Sequence, residues 1–244
     1  MAGNDERRAR YRAEARAEIK STALAQIARD GVAALTLTGV AKELGVSGPA
    51  LYKYFKGRDD LLTELIIDGY AEAAATLRAV LEETNDQSPR RRLLALATAF
   101  RDWAVAQPHR YLLLTGAPVP RYAAPAETVA LARDVLAPFI TVLSAAAANT
   151  ENPELVAQLA SWMAAEPSVV DWVRQATEPP AAAAPTSAAD PARLLATVMR
   201  AWVRLHGVVS IEAAGTFTGM GLQPATLLAA EMTALADEIA LPQP

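Results

Sequence analysis

Cysteine is absent from the 244 residues. That excludes a disulfide scaffold, thiolate–zinc and iron–sulfur ligation, and a cysteine nucleophile. Histidine is scarce, with only His109 and His206, so a His-rich metal site within one chain is not expected and no cofactor is called for. The longest uncharged run, Ala213 to Ala230, is broken by Gly215, Gly219, Gly221 and Pro224. A spanning helix needs about 20 mostly apolar residues, so no membrane contact is expected. The stretch Met1 to Arg16 is charged and lacks the apolar core of a secretory signal, which predicts a cytoplasmic protein. Recognisable catalytic motifs are missing as well. Gly45-x-Ser47 has Pro49 where a nucleophile elbow needs glycine, Gly219-x-Gly221 lacks the third glycine of a dinucleotide loop, and no His-Glu-x-x-His occurs. No enzyme is expected.

What is present is apolar and unevenly charged. The chain is 52% hydrophobic with 14 aromatic residues (4 Trp, 6 Tyr, 4 Phe), enough for a sizeable core. Its net charge of −4 conceals a split. Residues 1–58 carry 11 Lys/Arg against 6 Asp/Glu, a net of +5, and the remainder carries 12 against 21, a net of −9. All four lysines (Lys20, Lys42, Lys53, Lys56) lie in the first part. A basic head on an acidic body suits contact between the head and a polyanion, although an uneven solvated surface has the same composition.

Apolar residues recur at helical spacing along the whole chain, and no strand alternation persists. The predicted class is all-α, with a head at 1–57 and a body at 58–244. Ile19, Ala23, Leu24 and Ile27 mark a first helix stopped by Gly31. Thr36 or Thr38 is placed to cap a second, short helix carrying Val40, Ala41 and Leu44 inward. Gly45 supplies a tight turn, Ser47 can cap a third helix with Pro49 in its first turn, and Gly57 ends it. This is a helix-turn-helix layout. Arg58 opens a long helix to about Thr84. Seven further helices are expected between Ser88 and Ala240, the segment 178–190 being an Ala/Pro-rich mobile loop.

The run Leu35-Thr36, Val40-Ala41, Leu44-Gly45-Val46-Ser47, Leu51-Tyr52, Phe55, Arg58 and Leu61-Leu62 resembles the DNA-binding head of the tetracycline-repressor (TetR) type regulators. Trp202-Val203-Arg204-Leu205-His206-Gly207, with Ser210, Glu212 and Gly215 after it, is similar to the Trp-His-Gly signature of one C-terminal subfamily of these regulators. The resemblance implies a dimer that binds a double-stranded, palindromic DNA operator and is released by a small apolar or amphipathic ligand held in the body.

On that reading Thr36, Thr38, Gly48, Pro49, Ala50, Tyr52, Lys53, Tyr54 and Arg58 form the DNA-binding surface, with Gly39 beside them. A helix fits the major groove, phenols and cations meet phosphates, and Gly48-Pro49-Ala50 offers close approach and apolar contact. That leaves Lys53 and Thr38 as polar readers. Tyr54 stands where the family usually has histidine, and packing explains it equally. Arg7, Arg8, Arg10 and Arg12 form a basic arm that either adds DNA contacts or stays a solvated tail. Ligand-pocket candidates are Trp103, Tyr111, Phe139, Trp162, Met163, Trp172 and Met199. The same residue types also make plain core, and one sequence does not separate the two. Trp202 and His206, four apart on one helix face, read as a structural contact, and Gly207 as a site of close helix approach. The apolar stripes of the last two helices are the expected homodimer surface. Two other readings remain open on the residues alone: a helical DNA-binding protein without a ligand, and an enzyme or ligand-binding module whose head is only structural.

Overall fold

Helical spacing becomes helix throughout the computed structural model, which describes residues 2–116, 122–146, 152–177 and 190–242. Among these there are eleven α-helices, one 3-10 turn and no strand, so the chain is all-α. Packing divides it into two units, one of residues 1–69 with 107–129 and the other of 70–106 with 130–244. Residues 58–69, 107–116 and 122–129 therefore pack with the N-terminal helices.

In the first unit α1 runs from Ala2 to Asp30. The arginines at 7, 8, 10 and 12 are thus part of a helix and not an extended arm. Ala, Arg and Glu, which dominate this stretch, are strong helix formers, and Arg10 and Glu14 form an i,i+4 pair at 3.9 Å. Gly31, at φ 80°, ends α1 in a conformation that favours glycine. The 3-10 turn Val32–Ala34 leads into α2 (Leu37–Glu43), then α3 (Gly48–Leu51), and the start of α4 (Arg58–Glu83). At 26 residues α4 is about 39 Å long. α6 (Pro108–Thr115) closes the unit against Gly69, where a Cβ would meet Leu114 at 3.2 Å.

The second unit holds the rest of α4 with α5 (Pro89–Ala106), α7 (Glu127–Leu143), α8 (Pro153–Ala165), α9 (Pro167–Thr177), α10 (Pro191–Ala213) and α11 (Pro224–Glu238). α7 continues through Pro138. α10 packs on α5, α8, α9 and α11. By length and composition it could cross a membrane, yet half of its most apolar window is buried inside the unit and it carries Arg193, Arg200, Arg204 and Glu212. The Ala/Pro-rich loop expected at 178–190 lies outside the described residues up to 189, as do 117–121 of the loop after α6.

Two expectations about the last helices need correction. Leu194, Val198, Leu205 and Val209 of α10, with Leu228, Met232 and Leu235 of α11 and Ile239 after it, are all buried within the chain. They are core and not a free surface, because this side of α10 packs on α5, α8, α9 and α11, and α11 packs on α5 as well. Gly207 admits no close approach within the chain either: a Cβ there would meet nothing within 4 Å.

Candidate nucleic-acid interface

Between α2 and α3 the backbone is fixed by local hydrogen bonds. Thr36 caps α2, its Oγ1 accepting from Gly39 N–H at 3.0 Å. The helix ends in a Schellman turn, with Val46 N–H donating to Ala41 O at 3.0 Å and Gly45 N–H to Lys42 O at 3.2 Å. Gly45 sits at φ 68°, so glycine is needed there. Ser47 occupies the N-cap of α3 but makes no side-chain cap bond. α3 is also shorter than expected and stops at Leu51 instead of reaching Gly57. Beyond it Tyr54 N–H and Phe55 N–H both donate to Leu51 O, at 2.9 and 3.0 Å, a tightened turn that replaces further helix.

Burial sorts the side chains. Leu51 and Phe55 are in the core, while Thr36, Thr38, Pro49 and Lys53 are exposed and Tyr52 is 58% exposed. Gly48, Ala50 and Tyr54 are half-buried. Thr38, Pro49, Tyr52 and Lys53 therefore stand clear of the core on a short, well-tied segment.

α1 holds that segment from behind. Arg12 Nη2 donates to Lys53 O at 3.3 Å and Arg16 donates to Tyr54 O. Arg16 also covers the Phe55 ring at 4.4 Å and pairs with Glu64 at 2.6 Å. Both arginines thus satisfy carbonyls left over where α3 stops. The sequence reading missed these ties, because nothing in residue spacing links positions 12 and 16 to 53 and 54. It also passed over Lys42, exposed one turn beyond Thr38 on α2, which the i,i+4 spacing does signal.

Arg58 is placed differently from the expectation. Its Nε donates to Leu35 O at 3.0 Å, its Nη2 to Val32 O at 3.1 Å, and its Nη1 meets Asp59 at 3.2 Å. The guanidinium braces the link into α2. The N-terminus of α4 is served by Asp60, whose Oδ2 accepts from Lys56 N–H at 2.8 Å.

Of the ligand-pocket candidates in the second unit, Trp103, Phe139 and Met163 are buried, Met199 and Trp172 half-buried, and Trp162 is 47% exposed on α8. Tyr111 is buried on α6, in the first unit. Trp103 and Phe139 join Phe100, Trp202 and His206 in one aromatic cluster. Phe100 lies 5.8 Å from Trp103, 5.1 Å from Trp202 and 5.4 Å from His206, Phe139 lies 6.0 Å from Trp202, and Trp202 lies 4.2 Å from His206. Such separations are ring contacts, so these side chains fill one another's space. Burial pushes the His206 pKa down to about 4. Trp172 is flanked by Arg133 at 5.7 Å, and its buried indole N–H has no hydrogen-bond partner.

Residues 19–65 match the family described as bacterial regulatory proteins, tetR family. Residues 93–235 match the tetracyclin repressor-like C-terminal domain, a segment longer than half of the chain that includes Trp202 to Gly207. The chain belongs to the TetR family. This family is one of transcriptional regulators and not of enzymes, and the short segment from α1 to α4 is its helix-turn-helix DNA-binding domain. The TetR-family chain is 36% identical over 139 residues to the HTH-type transcriptional regulator Rv1816 of Mycobacterium tuberculosis, covering 57% of this chain and 59% of that regulator. It therefore spans about three fifths of the length of the curated relatives it matches. A solved structure of the regulatory protein SCO4313 is 39% identical, with a TM-score of 0.71 over 93% of this chain and 98% of the other. The transcriptional regulator FadR from Bacillus subtilis, solved in complex with stearoyl-CoA, is 12% identical with a TM-score of 0.54 over 91% and 98% of the two chains. At that identity the likeness is one of fold.

Proposed function

We propose that this TetR-family chain is a dimeric cytoplasmic repressor. It binds successive major-groove half-sites of a palindromic operator through residues 1–57 and is released when a small apolar or amphipathic molecule occupies 58–244. The observation that carries the DNA-binding part is the exposed set Thr38, Pro49, Tyr52 and Lys53, standing on a segment that Leu51, Phe55, Arg12 and Arg16 tie down. Pro49 and Ala50 leave little to donate, so close approach and contact with a thymine methyl fit the α3 edge, while Thr38 and Lys53 supply polar readout. Tyr52, Thr36 and Lys42 meet phosphates and set position without sequence. Electrophoretic shift of the DNA upstream of its own gene by the purified chain tests this. Salt-dependent binding to that fragment is expected, and absence of binding to any genomic fragment overturns the proposal.

Release follows from a two-state equilibrium in which the ligand prefers the conformation whose heads no longer match the half-site spacing. The packing of α6 with the head helices supports this, since a displaced α6 carries the head with it. For the dimer, the exposed Val203, Gly207 and Ile211 of α10 offer a face left free by the chain's own packing.

A further inference from the structure

Gln26 is a buried amide near the C-terminal end of α1, 7% exposed, facing the start of α2. Its Nε2 reaches Ala34 O at 3.5 Å, and its Oε1 has no hydrogen-bond partner. A buried acceptor without a donor is a cost that an apolar side chain of similar size avoids. The neighbour that makes sense of it is Gly39. A Cβ at position 39 would lie 2.7 Å from Gln26 Nε2, 3.4 Å from its Cδ and 2.9 Å from Thr36 Oγ1. The φ of Gly39 is not in the left-handed region, so the need for glycine is one of space alone. The two groups that fill this space are the Gln26 amide and the hydroxyl that caps α2.

We infer that Gln26 and Gly39 are a size-matched pair that sets the approach of α2 to α1, and that Gln26 is thereby a positioning residue for the DNA-contacting edge at Thr36 and Thr38. The glycine lets the helix come down onto the amide. The amide in turn supports the first turn of α2, where the Thr36 Oγ1 accepts from Gly39 N–H itself. Adding a methyl group at 39 crowds both neighbours: the end of the buried Gln26 side chain, at 2.7 Å, and the capping Thr36 Oγ1, at 2.9 Å. Movement of either tilts the edge that carries Thr38. This inference rests on the DNA-binding reading of the head and adds a determinant that touches no DNA.

A double-mutant cycle on the full chain tests it, with fluorescence anisotropy on a labelled 40-base-pair duplex from upstream of its own gene and an arbitrary duplex of equal length as control. Circular dichroism and thermal melting confirm that each variant is folded at the assay temperature. Gly39→Ala is expected to weaken binding at least tenfold. Gln26→Ala is expected to weaken it about threefold, and the pair together to bind at least threefold more tightly than Gly39→Ala alone, because removing the amide relieves the closer of the two contacts, at 2.7 Å. Two lesions that act independently would add in the double variant and would not rescue, and a loss that reflects folding alone would appear in the melting temperature. Unchanged binding by Gly39→Ala, or a loss that Gln26→Ala does not recover, overturns the inference. If Gly39→Ala fails to fold, Gln26→Ala alone decides, and unchanged affinity there overturns it too. A wild-type chain that binds neither duplex overturns the DNA-binding reading itself, which is a separate outcome.

Discussion

At the scale of single residues, the head shows how the fold gives one cation a structural task. Arg58 stands at a helix N-terminus, a natural phosphate site from sequence, yet donates to Leu35 O and Val32 O. Arg58→Ala should therefore lower the stability of the head by about 1–3 kcal/mol, read by chemical denaturation, because the Leu35 carbonyl loses the guanidinium donor and the Val32 carbonyl keeps only Leu35 N–H. Lysine should restore little, since its single point charge does not span both carbonyls. Lys53, by contrast, is exposed, and Lys53→Ala should leave the melting temperature within a degree or two while changing the ranking of operator variants. An unchanged ranking in a competition assay removes Lys53 from readout. His206 gives a pH dependence. Its folded pKa of about 4 lies below the ordinary 6.5, so between these values the unfolded chain holds more protons. The stabilisation is complete above pH 6.5 and is lost as pH falls towards 4, on the order of 2–3 kcal/mol. His206→Phe should shrink the difference in melting temperature between pH 7 and pH 4.5.

Elements bring these residues to their places. The turn after α2 depends on Gly45 at φ 68°, and Gly45→Val should cost about 1–2 kcal/mol through the left-handed conformation alone, measurable as a lowered melting temperature. α10 and α11 show a different logic. Their stripes looked like a dimer surface because apolar residues at helical spacing are all that a sequence displays. Enclosure by α5, α8, α9 and α11 turns those of α10 into core, and leaves Val203, 64% exposed, with Gly207 and Ile211 on the outer side. Light scattering should show Val203→Glu shifting the proposed dimer towards monomer, and an unchanged mass would take this face of α10 out of the interface. Across the same unit Arg101 pairs with Glu212, and Arg204 with Glu238 at 2.8 Å, joining α10 to α5 and α11.

For the whole molecule, the charge split survives folding only in part. Arg16, Lys20 and Arg29 are matched with Glu64, Asp68 and Glu43, and Arg58 is held by carbonyls and Asp59. Lys42, Lys53 and Lys56 remain exposed on the helix-turn-helix. If these three carry the phosphate contacts of each head, the logarithm of affinity should fall with the logarithm of salt at a slope near −5 for a dimer. Replacing Lys42 by alanine should flatten that slope by nearly 2, and an unaltered slope would deny it a phosphate contact.

The all-α class, the helix order, the Thr36 cap, the turn at Gly45 and the family were legible in the sequence, because each rests on local periodicity or on residues close together in the chain; the Ser47 cap was not borne out. Tertiary structure alone decided which apolar stripe is core and which face is free. It also decided that Arg12 and Arg16 tie down the turn after α3, that Arg58 braces the link into α2, and that Gln26 lies beneath Gly39. Those outcomes depend on contacts between residues 41 positions apart, as Arg12 and Lys53 are, and 111 apart, as Arg101 and Glu212 are. No local pattern encodes such a meeting, since it exists only once separate helices have packed.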